Sequence, residues 1–349
     1  MKLAVTVHDV ARRAEVSVST VSRSFTMPEL VQASTRERVL EAARALGYRP
    51  NRAARSLITG RTANIGVVVP DLANPFFPSV VKGIQARARE SDYAIFLADS
   101  EEDPRLEAEL IYAMAKQVDG VIVCSARMGD ADLKRVSEST PLVLLNRRYA
   151  NLPAVLMDTA DGSRQAVQHL AALGHTRCAF LSGPPTSWSN KERRRGLRLA
   201  ARAFGVEVVE LGPFAPNFDA GLQAADIAIA AEVGAIVAFN DLMALGVLSR
   251  LNQRGLSVPD DVSVVGFDDI AMASMITPSL TTVAMPTEAS GRAAVESLVD
   301  QLAGRGDADG GQHQRSVPTQ LIVRASTAPP GHPVSNQWDG RKPLSRKGR

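Results

Sequence analysis

Cysteine is scarce in this 349-residue chain: only Cys124 and Cys178 are present. Both fall inside strand-like apolar runs, VIVCSA and RCAFLSG, with no metal-ligating neighbour at useful spacing. Buried, reduced thiols are expected, rather than a redox pair or a metal site. Histidine is nearly as rare. His8, His169, His175, His313 and His332 are scattered over separate segments, so neither a catalytic triad nor a metal cluster can be assembled from them. The longest apolar runs, such as IGVVVP and VIVCSA, fall far short of the roughly 18 residues that suggest a membrane span. The opening MKLAVTVHDVARRAE meets charged residues before any long apolar stretch and reads poorly as a signal peptide, so a cytoplasmic location is expected. The motifs GxSxG, HExxH, the P-loop and a strand-linked GxGxxG are also missing. The expectation is a protein that is not an enzyme and needs neither cofactor nor metal.

What is present is unevenly distributed. The length allows two or three domains, and 45% hydrophobic against 22% charged residues fits a globular chain. The net charge of +3 conceals a basic head. Residues 1–60 carry ten Lys or Arg against five acids, a net +5, and residues 331–349 carry +4, which leaves −6 for the middle. A polyanion would meet the N-terminal segment first.

Residues 5–46 read as helices with short breaks. Thr6 is a plausible N-cap ahead of Val7, Val10, Ala11 and Ala14, and Ser17 a second cap ahead of VSTVSRSF. Ser34 and Glu37 have the spacing of a capping box for a third helix that Gly47 stops. Tight packing around Val10, Val21, Val39, Leu40 and Leu46 would make this a self-contained unit. The stretch NRAARSLITG, 51–60, is too short to hold a helix alone in water and reads as a linker that becomes helical when bound.

From residue 61 the pattern turns to alternating strands and helices. Short Val/Ile/Leu-rich runs stand at 65–69, 94–98, 120–124, 142–145, 178–181, 235–239 and 262–267. They predict doubly wound parallel sheets in two α/β lobes, with a break near 155–165. The last strand signal, TQLIVRAS, ends at about 327. The Pro-rich polar tail beyond it is expected to be disordered.

Ligands of open α/β sheets bind beyond the carboxyl ends of the strands. Residues there include Asp71, Asn74, Phe76, Phe77, Asn146, Arg147, Asp158, Ser189, Arg193, Asn240, Asp241 and Asp268. Facing lobes would combine carboxylates, amides, an arginine and aromatic faces in one pocket, which suits a small polyhydroxylated or nitrogen-rich ligand. Asp71 and Asp268 have a competing role as helix caps. Of Arg193, Arg194 and Arg195 only one, Arg193, is expected to point inward. Of Phe76 and Phe77, one is expected in the core and one as a ligand platform.

These segments, in this order, resemble the LacI/GalR family of bacterial transcription regulators over nearly all of residues 5–328. TVHDVARRAEVSVSTVSRSF is similar to the family's helix-turn-helix, and TRERVLEAARALGYRPNRAARSLITGRTANIGVVVPDLANPFF to its third helix, hinge and first strand. GHTRCAFLSGP, FNDLMALGVL, VPDDVSVVGFDDI and TPSLTTV are similar to its effector-domain signatures. The resemblance implies an N-terminal all-α helix-turn-helix domain and a periplasmic-binding-protein-like effector domain of two doubly wound lobes. The corresponding boundaries are 1–50 for DNA binding, 51–60 for a hinge helix, 61–161 with 289–316 for one lobe, 162–288 with 317–328 for the other, and 329–349 for a basic tail.

The resemblance further implies a homodimer on near-palindromic double-stranded operator DNA, a sugar-like effector between the lobes, and no membrane partner. Val18, Ser19 and Arg23 match recognition-helix positions facing base edges. Ser17, Thr20 and Ser22 match positions that contact phosphate or support the helix, and Thr6 and Asn51 match further DNA-binding positions. Arg55, Ser56 and Leu57 match the hinge helix, where Leu57 is the minor-groove wedge. Asn74, Phe76, Arg147, Ser189, Arg193, Phe218, Asp241 and Asp268 match effector positions. The stretch DTADG departs from the family's usual Asp-Asn before Gly, which alters contacts around Thr159. Without leucine heptads in the tail, a dimer is expected rather than a tetramer. A solute-binding protein for uptake is the alternative, opposed by the basic head and the poor export signal.

Overall fold

The computed structural model describes residues 5–48, 60–305 and 314–331. The chain divides into two compact units, Met1–Ala63 and Asn64–Arg349.

The first unit contains α1 (Val7–Ala14), α2 (Val18–Thr26), a single 3-10 turn (Pro28–Leu30) and α3 (Ala33–Leu46). Val10, Val21 and Val39 are fully buried at its centre. Ala11, Ala14, Ala42 and Ala43 pack around them, and such small side chains let short helices approach closely. Leu40 is only half-buried. The third helix begins one residue before the expected cap. Gln32, with extended backbone, occupies the cap position, so Ser34 already lies inside the first turn and cannot cap it. Gly47 ends that helix in the left-handed region (φ 68°), as a C-terminal stop requires.

The second unit is built on two six-stranded sheets. The N-lobe sheet contains β1 (Asn64–Val69), β2 (Ala94–Asp99), β3 (Gly120–Cys124), β4 (Leu142–Leu145), β5 (Ala154–Met157) and β11 (Gln314–Val317), in the order β11-β5-β4-β3-β1-β2. The C-lobe sheet contains β6 (Arg177–Leu181), β7 (Glu207–Leu211), β8 (Ala235–Ala238), β9 (Ser263–Asp268), β10 (Thr281–Ala284) and β12 (Gln320–Ile322), in the order β12-β10-β9-β8-β6-β7. All pairings are parallel except β10 with β12. Helices cover both faces, so the central strands β1 and β3 read as unbroken apolar runs rather than alternating ones. The edge strand β7, EVVEL, is half exposed, and its flanking glutamates hide it from a search for apolar runs.

The N-lobe helices are α4 (Phe76–Glu90), α5 (Pro104–Met114), α6 (Asp130–Ser137) and α12 (Thr287–Leu302). The C-lobe helices are α7 (Thr159–Ala172), α8 (Trp188–Phe204), α9 (Phe218–Ala230), α10 (Asp241–Gln253) and the short α11 (Ala271–Met275). The chain therefore crosses between lobes three times, after β5, after β10 and after β11. The crossings after β5 and β11 are pinned to each other: Asp158 N–H donates to the Val317 carbonyl at 2.9 Å, and the Thr319 hydroxyl to the Asp158 carbonyl at 2.9 Å. Cys124 and Cys178 are buried free thiols, each pushed up to about 12 chiefly by burial.

Helix pairs within each lobe meet backbone to backbone at glycine. A Cβ on Gly83 in α4 would overlap the Glu288 carbonyl in α12, and one on Gly196 in α8 would overlap the Ala160 carbonyl in α7. Backbone cannot yield as a flexible side chain can. Gly83→Ala is therefore expected to cost about 1–3 kcal/mol by overpacking. Urea unfolding checks this: a midpoint unchanged from wild type would mean that the two helices part without cost.

Candidate nucleic-acid interface and ligand cleft

In the helical unit, α2 is held by its own hydroxyls and by its neighbours. Ser17 Oγ accepts the Thr20 N–H at 3.1 Å and lies 2.7 Å from Ser19 Oγ and 2.8 Å from Thr20 Oγ1. The buried Ser24 hydroxyl donates to the Thr20 carbonyl at 2.8 Å. The Asp9 carboxylate accepts both the Thr6 N–H (2.9 Å) and the Thr6 hydroxyl (2.7 Å), which holds the Asp9 carboxyl below its ordinary value. Of the residues matched to the recognition helix, Ser17, Ser19 and Arg23 are exposed, and Thr20 and Ser22 are half-buried. Val18 is half-buried against the helical core, so only part of it is open to a partner. This unit presents short hydroxyl side chains at the N-terminus of α2 and one long cation, Arg23, in its last turn, a surface fitted to phosphate and base edges. Asn51, Arg55, Ser56 and Leu57 lie outside the described residues.

In the second unit the strand ends of both lobes converge on a narrow cleft with a cavity of about 30 Å³. Asn74, Phe76, Ser189, Arg193 and Asp268, five of the residues matched to effector positions, line it. The local sequence explains their placement. Ser187 caps α8 by accepting the Asn190 N–H at 3.2 Å. Asn190 in turn clamps Gly183, accepting its N–H at 3.0 Å and donating to its carbonyl at 3.1 Å. Asn74 accepts the Phe76 N–H at 3.1 Å and opens α4, with Phe76 and Phe77 edge to face at 5.1 Å. Both phenylalanines are buried, and both line the cleft, so the expected division between core and platform does not occur.

Arg193 is the centre of the C-lobe wall. Its side chain is 4% exposed and lies 4.6 Å over the Phe239 ring and 4.2 Å over the Phe267 ring. It donates to the Phe239 carbonyl and, at 3.4 Å, to Asp268 Oδ1, while Nε has no partner. Its neighbours point outward, Arg194 to Glu210 and Arg195 to Glu192. Asp268 (φ 114°) and Asp269 (φ 55°) both occupy the left-handed side of backbone space, which costs non-glycine residues about 1–3 kcal/mol each. An ion pair from Asp269 to Arg324 at 2.6 Å helps hold that turn.

Three expected effector residues do not line the cleft. The buried Arg147 turns beneath the loop after β3, where its donors are taken by the carbonyls of Ala126 (3.1 Å) and Met128 (2.6 Å) and by Asp130 (2.7 Å). Phe218 begins α9 and is 40% exposed, whereas Pro216, two residues earlier, reaches the cleft. Asp241 lies below the cleft floor, accepting the Thr282 hydroxyl at 2.6 Å and the Ile270 N–H at 2.9 Å. Burial, with the Asp268 charge adding, raises its carboxyl well above the ordinary value. Its neighbour Asn240 lines the cleft instead, held by donating to the Pro216 carbonyl at 2.8 Å.

Glu102, Ser125, Arg127 and Phe239 also line the cleft and were not singled out from sequence. Glu102 and Arg127 follow β2 and β3 in DSEED and SARMG, where the strand-end rule would have found them. Among the described residues no His, Cys, Asp and Glu group could hold a metal ion.

Burial pushes the Asp268 carboxyl from 3.8 up to about 7, with Arg193 pulling it back. The folded protein thus keeps a proton that the unfolded chain has released, and stability falls as pH rises through this window. Unliganded wild type is expected to lose stability relative to Asp268→Asn between pH 4 and pH 7. Parallel melting-temperature profiles for the two proteins would contradict the assignment.

The chain matches two family models: "Bacterial regulatory proteins, lacI family" over residues 6–51 and "Periplasmic binding protein-like domain" over residues 167–327. It is 34% identical over 334 residues to the HTH-type transcriptional repressor CytR of Escherichia coli K12, covering 93% of this chain and 96% of that protein. The structure of the lac repressor dimer bound to operator and the anti-inducer ONPF is similar with a TM-score of 0.81 and 29% identity, over 93% of this chain and 100% of that one. The transcriptional regulator CelR–cellobiose complex is similar with a TM-score of 0.68 and 33% identity, over 92% and 99%. No described helix is long and apolar enough to cross a membrane. A helix-turn-helix head followed by a two-lobed cleft, matched end to end by such relatives, places this chain in the lacI family of bacterial regulatory proteins.

Proposed function

We propose that this protein is a transcriptional repressor that binds a near-palindromic operator as a homodimer and changes its hold on DNA when a small effector occupies the cleft. The observation that carries this reading is the union of two sites in one chain: a three-helix unit exposing Ser17, Ser19 and Arg23, and a two-lobed unit whose cleft is lined by Asn74, Phe76, Ser189, Arg193 and Asp268. A solute-binding protein would use the cleft but leaves the helical unit without a task. Such a repressor works in the cytoplasm, on the nucleoid.

The physical division of labour follows from the residues. Arg23 is the longest exposed side chain among the matched recognition positions and reaches base edges, while the hydroxyls of Ser17 and Thr20 hold backbone phosphate. Arg55, Ser56 and Leu57 form a hinge helix on DNA, with Leu57 inserted at the central step. The apolar wedge unstacks that step and bends the duplex, and flanking cations keep the backbone in place. The lobes are joined by three crossings, two of them pinned to each other, the architecture of a hinge that closes on ligand. An effector that binds one lobe arrangement better shifts the population toward it, and with it the spacing of the two hinge segments in the dimer.

The cleft calls for a sugar or sugar derivative. It combines carboxylates and amides that accept or donate to hydroxyls with the rings of Phe76, Phe77 and Phe239, which cover an apolar face. The present cavity of about 30 Å³ holds little more than a water molecule or two, so a sugar enters as the walls move apart.

Selection of genomic fragments by the purified full-length chain tests the reading and supplies an operator. On that operator Leu57→Ala is expected to weaken specific binding by about tenfold or more while nonspecific binding changes little. Equal losses on both DNAs, measured by fluorescence anisotropy, would remove the wedge.

A further inference from the structure

The N-lobe wall of the cleft carries a second guanidinium–carboxylate pair, opposite Arg193 and Asp268. Arg127, with a side chain 3% exposed, donates Nε and Nη2 to the two carboxylate oxygens of Glu102, the Nη2–Oε1 distance being 2.9 Å. Its Nη1 donates to the Ser125 carbonyl at 2.6 Å. The loop that presents it is held from below. Glu107, fully buried, accepts the backbone N–H of Arg127 at 2.9 Å and of Met128 at 2.7 Å. Glu101, Glu102 and Ser125 all have positive φ, between 49° and 59°, so both strand-end loops are bent to bring this pair to the cleft.

Neither member has exhausted its capacity. A guanidinium has five N–H donors, and three of Arg127's are used. Each Glu102 oxygen accepts from Arg127 and keeps a further lone-pair direction, and the side chain is 24% exposed. Free donors therefore lie beside free acceptors on one rigid platform. A hydroxyl both donates and accepts, and two adjacent hydroxyls match an adjacent guanidinium and carboxylate. A phosphate or carboxylate group would satisfy the arginine but set its charge against Glu102.

We propose that Arg127 and Glu102 form the effector contact of the N-lobe, reading a vicinal diol on an uncharged ligand whose far side meets Arg193 and Asp268. This assignment rests on the effector-controlled reading above and specifies what the cleft selects. A ligand bridging the two pairs joins the lobes, so the same contact that chooses the ligand also holds the closed arrangement.

Calorimetry on the full-length protein tests this with named probes: D-ribose, D-glucose, cellobiose and adenosine, the 2-deoxy forms of ribose, glucose and adenosine, and ribose 5-phosphate. At least one diol compound is expected to bind wild type, with its deoxy or phosphorylated form at least about tenfold weaker, because a missing hydroxyl leaves buried polar groups unpaired. In Glu102→Gln and Arg127→Met that preference is expected to collapse toward equality, a change that loss of loop structure alone would not produce. Glu102→Gln is nearly isosteric and serves if Arg127→Met fails to fold. The inference is overturned if the preference survives in Glu102→Gln, if ribose 5-phosphate is preferred, or if no diol compound binds wild type. Operator binding by the same wild-type preparation is measured separately: a chain that binds operator yet ignores diols loses this inference alone, and one that binds no operator loses the regulator reading.

Discussion

Taking the Arg193 guanidinium out of water is the constraint around which the C-lobe cleft is organised. An isolated buried cation is costly, and this one is compensated from several directions at once: the Asp268 carboxylate, the Phe239 carbonyl and the faces of two phenylalanine rings. Each compensating group stands at the carboxyl end of a strand, Phe239 after β8 and both Phe267 and Asp268 at the end of β9. Holding them there explains the left-handed backbone at Asp268 and Asp269. It also explains the buried Asp241 beneath, which joins the start of α10 to Thr282 of β10 and to the backbone of Ile270. Gly266 is glycine because a Cβ there would collide with the Asp241 carboxylate. Even so, Arg193 Nε remains without a partner, and a buried donor left open in a cleft is a place for a ligand acceptor.

The sheets were largely legible because their strands are covered on both faces and therefore spell continuous Val, Ile and Leu. Of the strands outside the runs read from sequence, β5 (AVLM) and β10 (TTVA) are short and buried, and the other two are those to which this does not apply. β7 is an exposed edge with glutamates, and β11, QRSV, is polar and also an edge. In the helical unit Ser17 caps as its sequence suggests, whereas Ser34 does not, because the chain turns helical one residue before it.

The cleft was legible to the level of strand ends and no further. Knowing that a residue follows a strand does not say which way its side chain turns. Arg147 and Asp241 both follow strands, and both turn away from the cleft, Arg147 into hydrogen bonds with the loop after β3 and Asp241 into bonds with Thr282 of β10 and the Ile270 N–H. Their chain neighbours Asn146 and Asn240 face it instead. Arg127 and Glu102 are the converse: two residues at the ends of β2 and β3 whose pairing no spacing rule reveals, because it joins loops 25 residues apart.

One measurement bears most directly on the account as a whole: the affinity of the full-length protein for a selected palindromic duplex and for its scrambled counterpart across 50 to 200 mM salt. A regulator that neutralises several phosphates per dimer should lose affinity steeply, by about 10³-fold or more, and should keep a large preference for the palindrome throughout. Affinity that barely moves with salt, or that is equal for the two duplexes, would contradict it.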